Sequence, residues 1–418
     1  MADETHRAVE AVWRIEAARL IAGLAKMTRN VGLAEELAQD ALVTALSDWP
    51  KNGIPANPGA WLMQTAKRRA IDGFRRQRVL DQKAMPALTY EAELRELEAP
   101  DYDTRLDDDV KDNLLSLIFT ACHPVLSPEA RSALTLRLVG GLSTAEIARA
   151  FLVPEPTIQQ RIVRAKKTLA QAHVPFEVPR GDERRARLGS VLEVLYLIFN
   201  EGYSATAGED WMRTELCDEA VRVGRVLARL MPDEPEVHGL AALMEIQSSR
   251  AGARTAGDGT PILLLDQDRG LWNSILIQRG LDALAEAGQL GGAHGPYALQ
   301  AAIAACHARA AKAADTDWRA IAGLYDELAE LTPSPVIELN RAVAHGMAFG
   351  PEAGLRIVEP LCSVSALSRY HLLPSVRGDF LWKLGRFDEA RAEFTRAAAM
   401  TQNARERELL LQRAAGQA

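Results

Sequence analysis

Apolar residues recur along most of this chain at helical spacing, interrupted by polar stretches containing Gly and Pro. Leu20, Leu24, Met27 and Val31 make one stripe, and Leu37, Ala41, Leu42 and Ala45 make a second. Residues 51–58 read as a loop from their Gly, Asn and Pro content. Asn57 and Pro58 then supply an N-cap and a first-turn proline for a helix from Trp61 to about Arg78, where Leu62, Ala66, Ala70 and Phe74 repeat every four residues. The pattern lapses over residues 81–109, returns from Val110 to about His173, and stops at Val174–Glu183. From about residue 185 onward the chain is Ala/Leu-rich and helical, broken by polar turns such as 251–259 and 289–295. The periodicity predicts an all-α protein.

Residues 141–169 predict a helix, a tight turn and a second helix. Ser143 with Glu146 forms a capping box opening the first. On the second, Ile158, Ile162, Ala165 and Leu169 share one stripe, while Thr157, Gln160, Arg164 and Lys167 lie opposite and Arg161 falls at the edge. An apolar back that docks on a scaffold and a polar front suit a helix in the major groove of DNA. Arg161 and Arg164 match guanine edges, Gln159 or Gln160 matches adenine, and Lys166 and Lys167 match phosphates.

At 418 residues the chain predicts two or three domains, and 48% hydrophobic with 6% aromatic content favours helices packed on helices. A net charge of −7 does not itself suggest a nucleic-acid binder, but the charge is unevenly placed. The helix from Trp61 carries Lys67, Arg68, Arg69, Arg75, Arg76 and Arg78 against one acid, Asp72. That composition fits either a solvated basic face or a helix tracking a nucleic-acid backbone, with Trp61 at its mouth. Residues 91–109 hold nine acids and two arginines, which marks an acidic linker.

Four widely spaced cysteines (Cys122, Cys217, Cys306, Cys362), a polar N-terminus and no long apolar run predict a cytoplasmic protein with reduced thiols and no membrane span. Walker, GxGxxG, HExxH and GxSxG motifs are absent, so no enzyme, catalytic residue, metal or cofactor is expected. The doublets Cys122-His123 and Cys306-His307 lack metal-ligand spacing and read as structural. Glu201, in Asn200-Glu-Gly-Tyr203, has no partner acid or His and reads as a turn residue. Asp315-Thr-Asp-Trp318 has N-cap chemistry, and Asp266-Gln-Asp-Arg269 fits either a buried network or a peptide contact. Gly385, Phe387, Ala390, Phe394 and Ala397 follow the small/large alternation of a tetratricopeptide repeat, with a degenerate copy over Ser334–Glu359.

Taken in order, these segments resemble a bacterial RNA polymerase sigma factor of the extracytoplasmic-function class of the sigma-70 family. Ala34–Trp49 is similar to region 2.2, Pro58–Arg76 to regions 2.3 and 2.4, and Leu142–Leu169 to region 4.2. Phe119–Pro124, Asn200–Tyr203, Asp266–Arg269, Thr316–Trp318 and Ser334–Arg341 are similar to the group with a long C-terminal tetratricopeptide-like extension. The resemblance implies region 2 over 1–80, the acidic linker over 81–109, region 4 over 110–175 and a regulatory extension over 185–418. Its partners would be core RNA polymerase, through Glu36, Leu37, Gln39 and Asp40, and promoter DNA. Asn57, Trp61, Lys67, Arg68, Arg75 and Arg76 would hold the −10 element. Thr157, Gln159, Gln160, Arg161, Arg164 and Lys167 would read the −35 element. The extension would contact a protein partner or the sigma regions themselves. Two other readings fit the residues: a DNA-binding regulator that acts without polymerase, and a sigma factor whose extension senses a small molecule.

Overall fold

Asn30 starts the second helix of the chain rather than continuing the first, because its side chain accepts a hydrogen bond from the Leu33 amide at 3.1 Å. The computed structural model describes residues 2–80, 106–151, 153–203, 212–256, 261–401 and 403–416, and every regular element among them is helical apart from isolated bridges such as Thr255 with Pro261. The chain divides into two units, Met1–Val194 and Leu195–Ala418.

In the first unit, α1 (Ala2–Thr28), α2 (Val31–Asn52), α3 (Pro58–Leu80) and α4 (Leu106–Ala121) pack around α1, burying Leu20, Ile21, Leu24, Leu62 and Ile118. The apolar stripe expected from Leu20 to Val31 is split, since Arg29 takes φ +51° and Val31 opens α2. Residues 51 and 52, expected in a loop, finish α2 beyond Pro50; the chain leaves the helix at Gly53, whose φ of +85° favours glycine. Asn57 caps α3 as expected, its Oδ1 accepting from the Ala60 amide at 3.1 Å. Of the segment expected as an acidic linker, residues 81–105 lie outside the described residues, and 106–109 begin α4.

α5 (Pro128–Leu138), α6 (Thr144–Ala150) and α7 (Glu155–Gln171) follow. The capping box forms in both directions: Ser143 N donates to Glu146 Oε2 at 2.7 Å, and Glu146 N donates to Ser143 Oγ at 3.1 Å. The unit closes with the first part of α8 (Gly181–Tyr203). There Arg187 donates to the Phe119 carbonyl at 2.9 Å, Ser190 to the Cys122 carbonyl at 2.7 Å, and Arg131 reaches Glu193 at 3.1 Å. Phe119–Pro124 therefore seats α8. Burial pushes the Cys122 thiol up to about 11, and His123 Nδ1 accepts from the Val125 amide at 3.1 Å.

The second unit is a run of helices packed on their sequence neighbours: α9 (Thr214–Leu230), α10 (Pro235–Ser248), α11 (Ser274–Gln289), α12 (Pro296–Arg309), α13 (Trp318–Leu331), α14 (Pro335–Phe349), α15 (Pro351–Leu361), α16 (Leu372–Lys383), α17 (Phe387–Met400) and α18 (Ala404–Ala414). Asp317 caps α13, as its position before Trp318 predicts. Asn200–Tyr203 is not a turn. It is the last turn of α8, where a β-carbon on Gly202 would lie 2.7 Å from the Cys217 amide nitrogen, so the glycine serves a close helix approach. Glu201 pairs with Arg213. Towards the end of the chain Phe380 packs against Gly346 and Gly354, and Phe394 packs against Gly378; of the alternation read from the sequence, Ala390, Phe394 and Ala397 are buried, while Phe387 is exposed and Gly385 faces open space.

Candidate nucleic-acid and polymerase interface

α7 has the two faces its sequence predicts. Ile158, Ile162, Ala165 and Leu169 are all buried, while Gln159, Gln160, Arg164 and Lys167 are exposed and Thr157 and Arg161 half-buried. Glu155 Oε1 accepts from Thr144 at 2.7 Å and from Gln159 at 3.2 Å, which ties the first turn of α7 to α6. Arg161 belongs to the charge environment of Glu129 on α5, a carboxyl held below its usual range first by a hydrogen bond from its own backbone and by Ser127. The outward cations of α7 are thus Arg164 and Lys167, with Arg161 set back towards α5.

α3 carries the second basic surface. Arg68 and Arg69 are exposed, Lys67 and Trp61 are half-buried, and Trp61 meets the buried Trp49 edge-on at 5.4 Å. The Asn57 side chain is occupied as the cap of α3. Arg75 and Arg76 lie on α3, but their side chains fall outside the described residues. Arg69 bridges α3 to α2, pairing with Asp40 at 2.9 Å and donating to Thr44 Oγ1 at 2.8 Å.

The residues expected to dock on polymerase divide along α2. Glu36 and Asp40 are exposed, Gln39 is half-buried, and Leu37 belongs to the core at 8% exposure. Between them Glu35, which the sequence did not single out, is buried at 4% exposure and collects three donors. Arg137 of α5 reaches Glu35 Oε1 at 2.6 Å, Gln39 donates to the same oxygen at 2.8 Å, and Lys166 of α7 pairs with Oε2. Arg137 also donates to the Leu142 carbonyl at 2.9 Å, at the entry to α6. Lys166, expected on phosphate, is thereby turned inward. The signal for Glu35 was present: an acid on the same helical stripe as Ala38 and Ala41 must find a cation when buried.

Burial alone would raise the Glu35 carboxyl, but the charges and hydrogen bonds of Lys166 and Arg137 outweigh it and hold the group below its usual range. A depressed folded-state pKa means that the node stabilises fully above the unfolded glutamate range and weakens as pH falls through the lower folded value. A donor–acceptor label pair on α2 and α7 of the full chain will therefore separate on acidification below the ordinary glutamate range. Glu35→Gln will remove that step, and an unchanged acid transition in the variant would exclude Glu35 as its origin.

Residues 15–79 match the family described as sigma-70 region 2, residues 116–169 match sigma-70 region 4, and residues 187–288 match DUF6596, a family of unknown function. The uncharacterised protein R00370 of Rhizobium meliloti (strain 1021) is 46% identical over 384 residues, spanning 92% of this chain and 89% of that protein. Among solved structures, yeast Tom70 aligns over 100% of this chain and 84% of its own at 12% identity, with a TM-score of 0.37, too low to assign a shared fold. Among the described residues no helix is long and apolar enough to cross a membrane. The sigma-70 regions support a transcription regulator that binds RNA polymerase and promoter DNA. With both regions in order and a helical C-terminal extension behind them, the chain belongs to the sigma-70 family, in its extracytoplasmic-function-like group with a C-terminal extension.

Proposed function

We propose that this protein is an alternative sigma factor that directs core RNA polymerase to −35 and −10 elements and opens the promoter. α7 reads the −35 element, with Arg164 on a base edge, Lys167 on phosphate and Gln159 or Gln160 on a neighbouring base. α3 follows the −10 strand with Lys67, Arg68 and the arginines beyond Phe74, and Trp61 stands at its N-terminal end. Glu36, Gln39 and Asp40 face polymerase from α2. Residues 1–80, 81–109, 110–175 and 185–418 act as −10 module, linker, −35 module and regulatory extension, the last controlling access to the other two.

The observation that carries this reading is α7, buried on one stripe and polar on the other, in one chain with the basic helix α3. Transcription in vitro with core polymerase tests it: a promoter-specific transcript is expected only when polymerase and this protein are both present. Footprinting by the protein alone at full strength, without polymerase-dependent initiation, would overturn it. Arg164→Ala will weaken −35 binding by about 1–3 kcal/mol and relax discrimination at one base pair. An unchanged −35 footprint would displace Arg164 from its role.

A further inference from the structure

Several motifs that promoter reading leaves unused meet in the second unit. Tyr203, Arg269, His307, Thr316 and Trp318 come from four separate stretches and gather around Arg250, Arg254 and Trp272. Arg250 lies over the Tyr203 and Trp272 rings, each at 5.6 Å, Arg254 over Tyr203 at 3.6 Å, and Arg269 over Trp272 at 4.9 Å. His307 meets Trp318 edge-on at 5.1 Å. Of the two sequence readings of Asp266–Arg269, this is the buried network: Gln267 bonds the Ile262 carbonyl at 3.0 Å and Asp268 caps Gly270 at 2.8 Å.

Arg250 and Arg269 have no carboxylate hydrogen-bonded to them among the described residues, although the charge of Asp315 is felt at Arg269. Other arginines of the unit meet acids, as Arg225 meets Glu245 and Arg377 meets Glu393. Arg269 instead donates only to neutral oxygens, the carbonyls of His307 and Ala310 and the Thr316 hydroxyl. Arg250 donates to the Tyr203 hydroxyl, which in turn donates to Gln247. Two half-buried guanidinium groups beside one indole repel each other and give up part of their hydration. Stacking on Tyr203 and Trp272 offsets part of this through the ring faces, but the Nε of each arginine is left without an acceptor.

Four buried nitrogens have no hydrogen-bond partner in the described structure: Arg250 Nε, Arg269 Nε, Trp272 Nε1 and His307 Nδ1. Trp272 and His307 are 6% and 8% exposed, so bulk water does not serve them. The field they share is positive. Burial, followed by the charges of Arg250 and Arg269, pushes His307 down to about 4, and burial then Arg250 hold Arg269 below its ordinary range. A guest here must be an anion that accepts from several separate donors. A planar carboxylate prefers the two-pronged edge of a single arginine, whereas Arg250, Arg269 and Trp272 each leave a single N–H without an acceptor, and His307 adds one in its Nδ1–H tautomer, which suits a tetrahedral oxyanion. We propose that this cluster binds a phosphoryl-type oxyanion, inorganic phosphate or the phosphate of a small metabolite, and so makes the extension a ligand-binding domain. The site lies wholly in the second unit and does not depend on the promoter-reading assignment.

Calorimetric titration of the full chain at constant ionic strength tests the site, with inorganic phosphate in one arm and glycerol phosphate in the other. Saturable 1:1 binding is expected in at least one arm, and tighter binding of the ester would identify an organic phosphate as the ligand. Arg250→Gln should weaken binding about tenfold or more, and Trp272→Phe, which keeps an aromatic face and removes the indole donor, about fivefold. Phosphate should also raise the titration midpoint of the His307 ring as followed by NMR, which a purely structural cluster would not show. If Arg250→Gln fails to fold, Trp272→Phe decides alone. No saturable binding in either arm, or wild-type affinity in a folded Trp272→Phe variant, would overturn the proposal.

Discussion

Replacing Glu35 by lysine will part the two DNA-reading modules in the free protein. The substitution puts a third cation against Arg137 and Lys166, and breaking a buried ion pair in this way costs about 3–5 kcal/mol. Both reading helices are moored to α2: α3 through Arg69 to Asp40 at 2.9 Å, and α7 through Lys166 to Glu35. Five residues along a helix span about 7.5 Å. On the proposed reading the −10 and −35 elements are separate sites on the duplex, which rises about 3.4 Å per base pair. Opening of the Glu35 node would then free α7 to reach its element independently of α3. Pulsed-EPR distances between labels on α2 and α7 should lengthen in Glu35→Lys, and the variant should need less polymerase to reach full promoter occupancy. A distance distribution identical to wild type would rule the node out as the latch.

Phe380→Ala will lower the stability of the extension by about 3–5 kcal/mol, the largest single-residue loss expected there. The ring is 2% exposed and is shaped around two glycines, Gly346 on α14 and Gly354 on α15. A β-carbon on Gly354 would lie 2.8 Å from the Ala342 carbonyl, so the helices already touch and cannot close the hole that alanine leaves. Denaturant unfolding followed through Trp382, which packs edge-on against Phe387 at 4.8 Å, should show an earlier transition. A loss under about 1 kcal/mol would mean that the hairpins do collapse onto the smaller side chain.

The helices that were legible from the sequence were those whose partners are near in sequence or whose faces are fully periodic. Ile158, Ile162, Ala165 and Leu169 are buried because one stripe docks on one scaffold, and the period alone predicts that. The capping box at Ser143 and the cap at Asn57 depend on three or four consecutive residues. The break at Arg29 was not legible, since a left-handed arginine leaves no trace in the hydrophobic pattern. Asn200–Tyr203 resembles a turn in sequence because a glycine signals conformational freedom, whereas Gly202 is required by the backbone of α9 lying against it. The Glu35 node joins residues more than a hundred positions apart, as with Arg137 at a separation of 102, so only the three-dimensional structure could supply its partners. Of the arginine cluster, Tyr203, Arg269, His307, Thr316 and Trp318 are visible as separate motifs, while Arg250, Arg254 and Trp272 are not, and the sequence does not encode their common location.

The inward turn of Lys166 also has an ionic consequence. Each phosphate a protein neutralises releases condensed counterion and adds about −0.9 to the slope of log affinity against log salt on duplex DNA. While Lys166 is spent on Glu35, the front of α7 reaches DNA with one cation fewer than its sequence holds. On the proposed reading, opening of the node would return Lys166 to the phosphate backbone and make −35 binding more sensitive to salt by roughly one such increment. Ionic strength would then discriminate between the closed and open forms of the same protein, with low salt favouring the form that has its full complement of phosphate contacts.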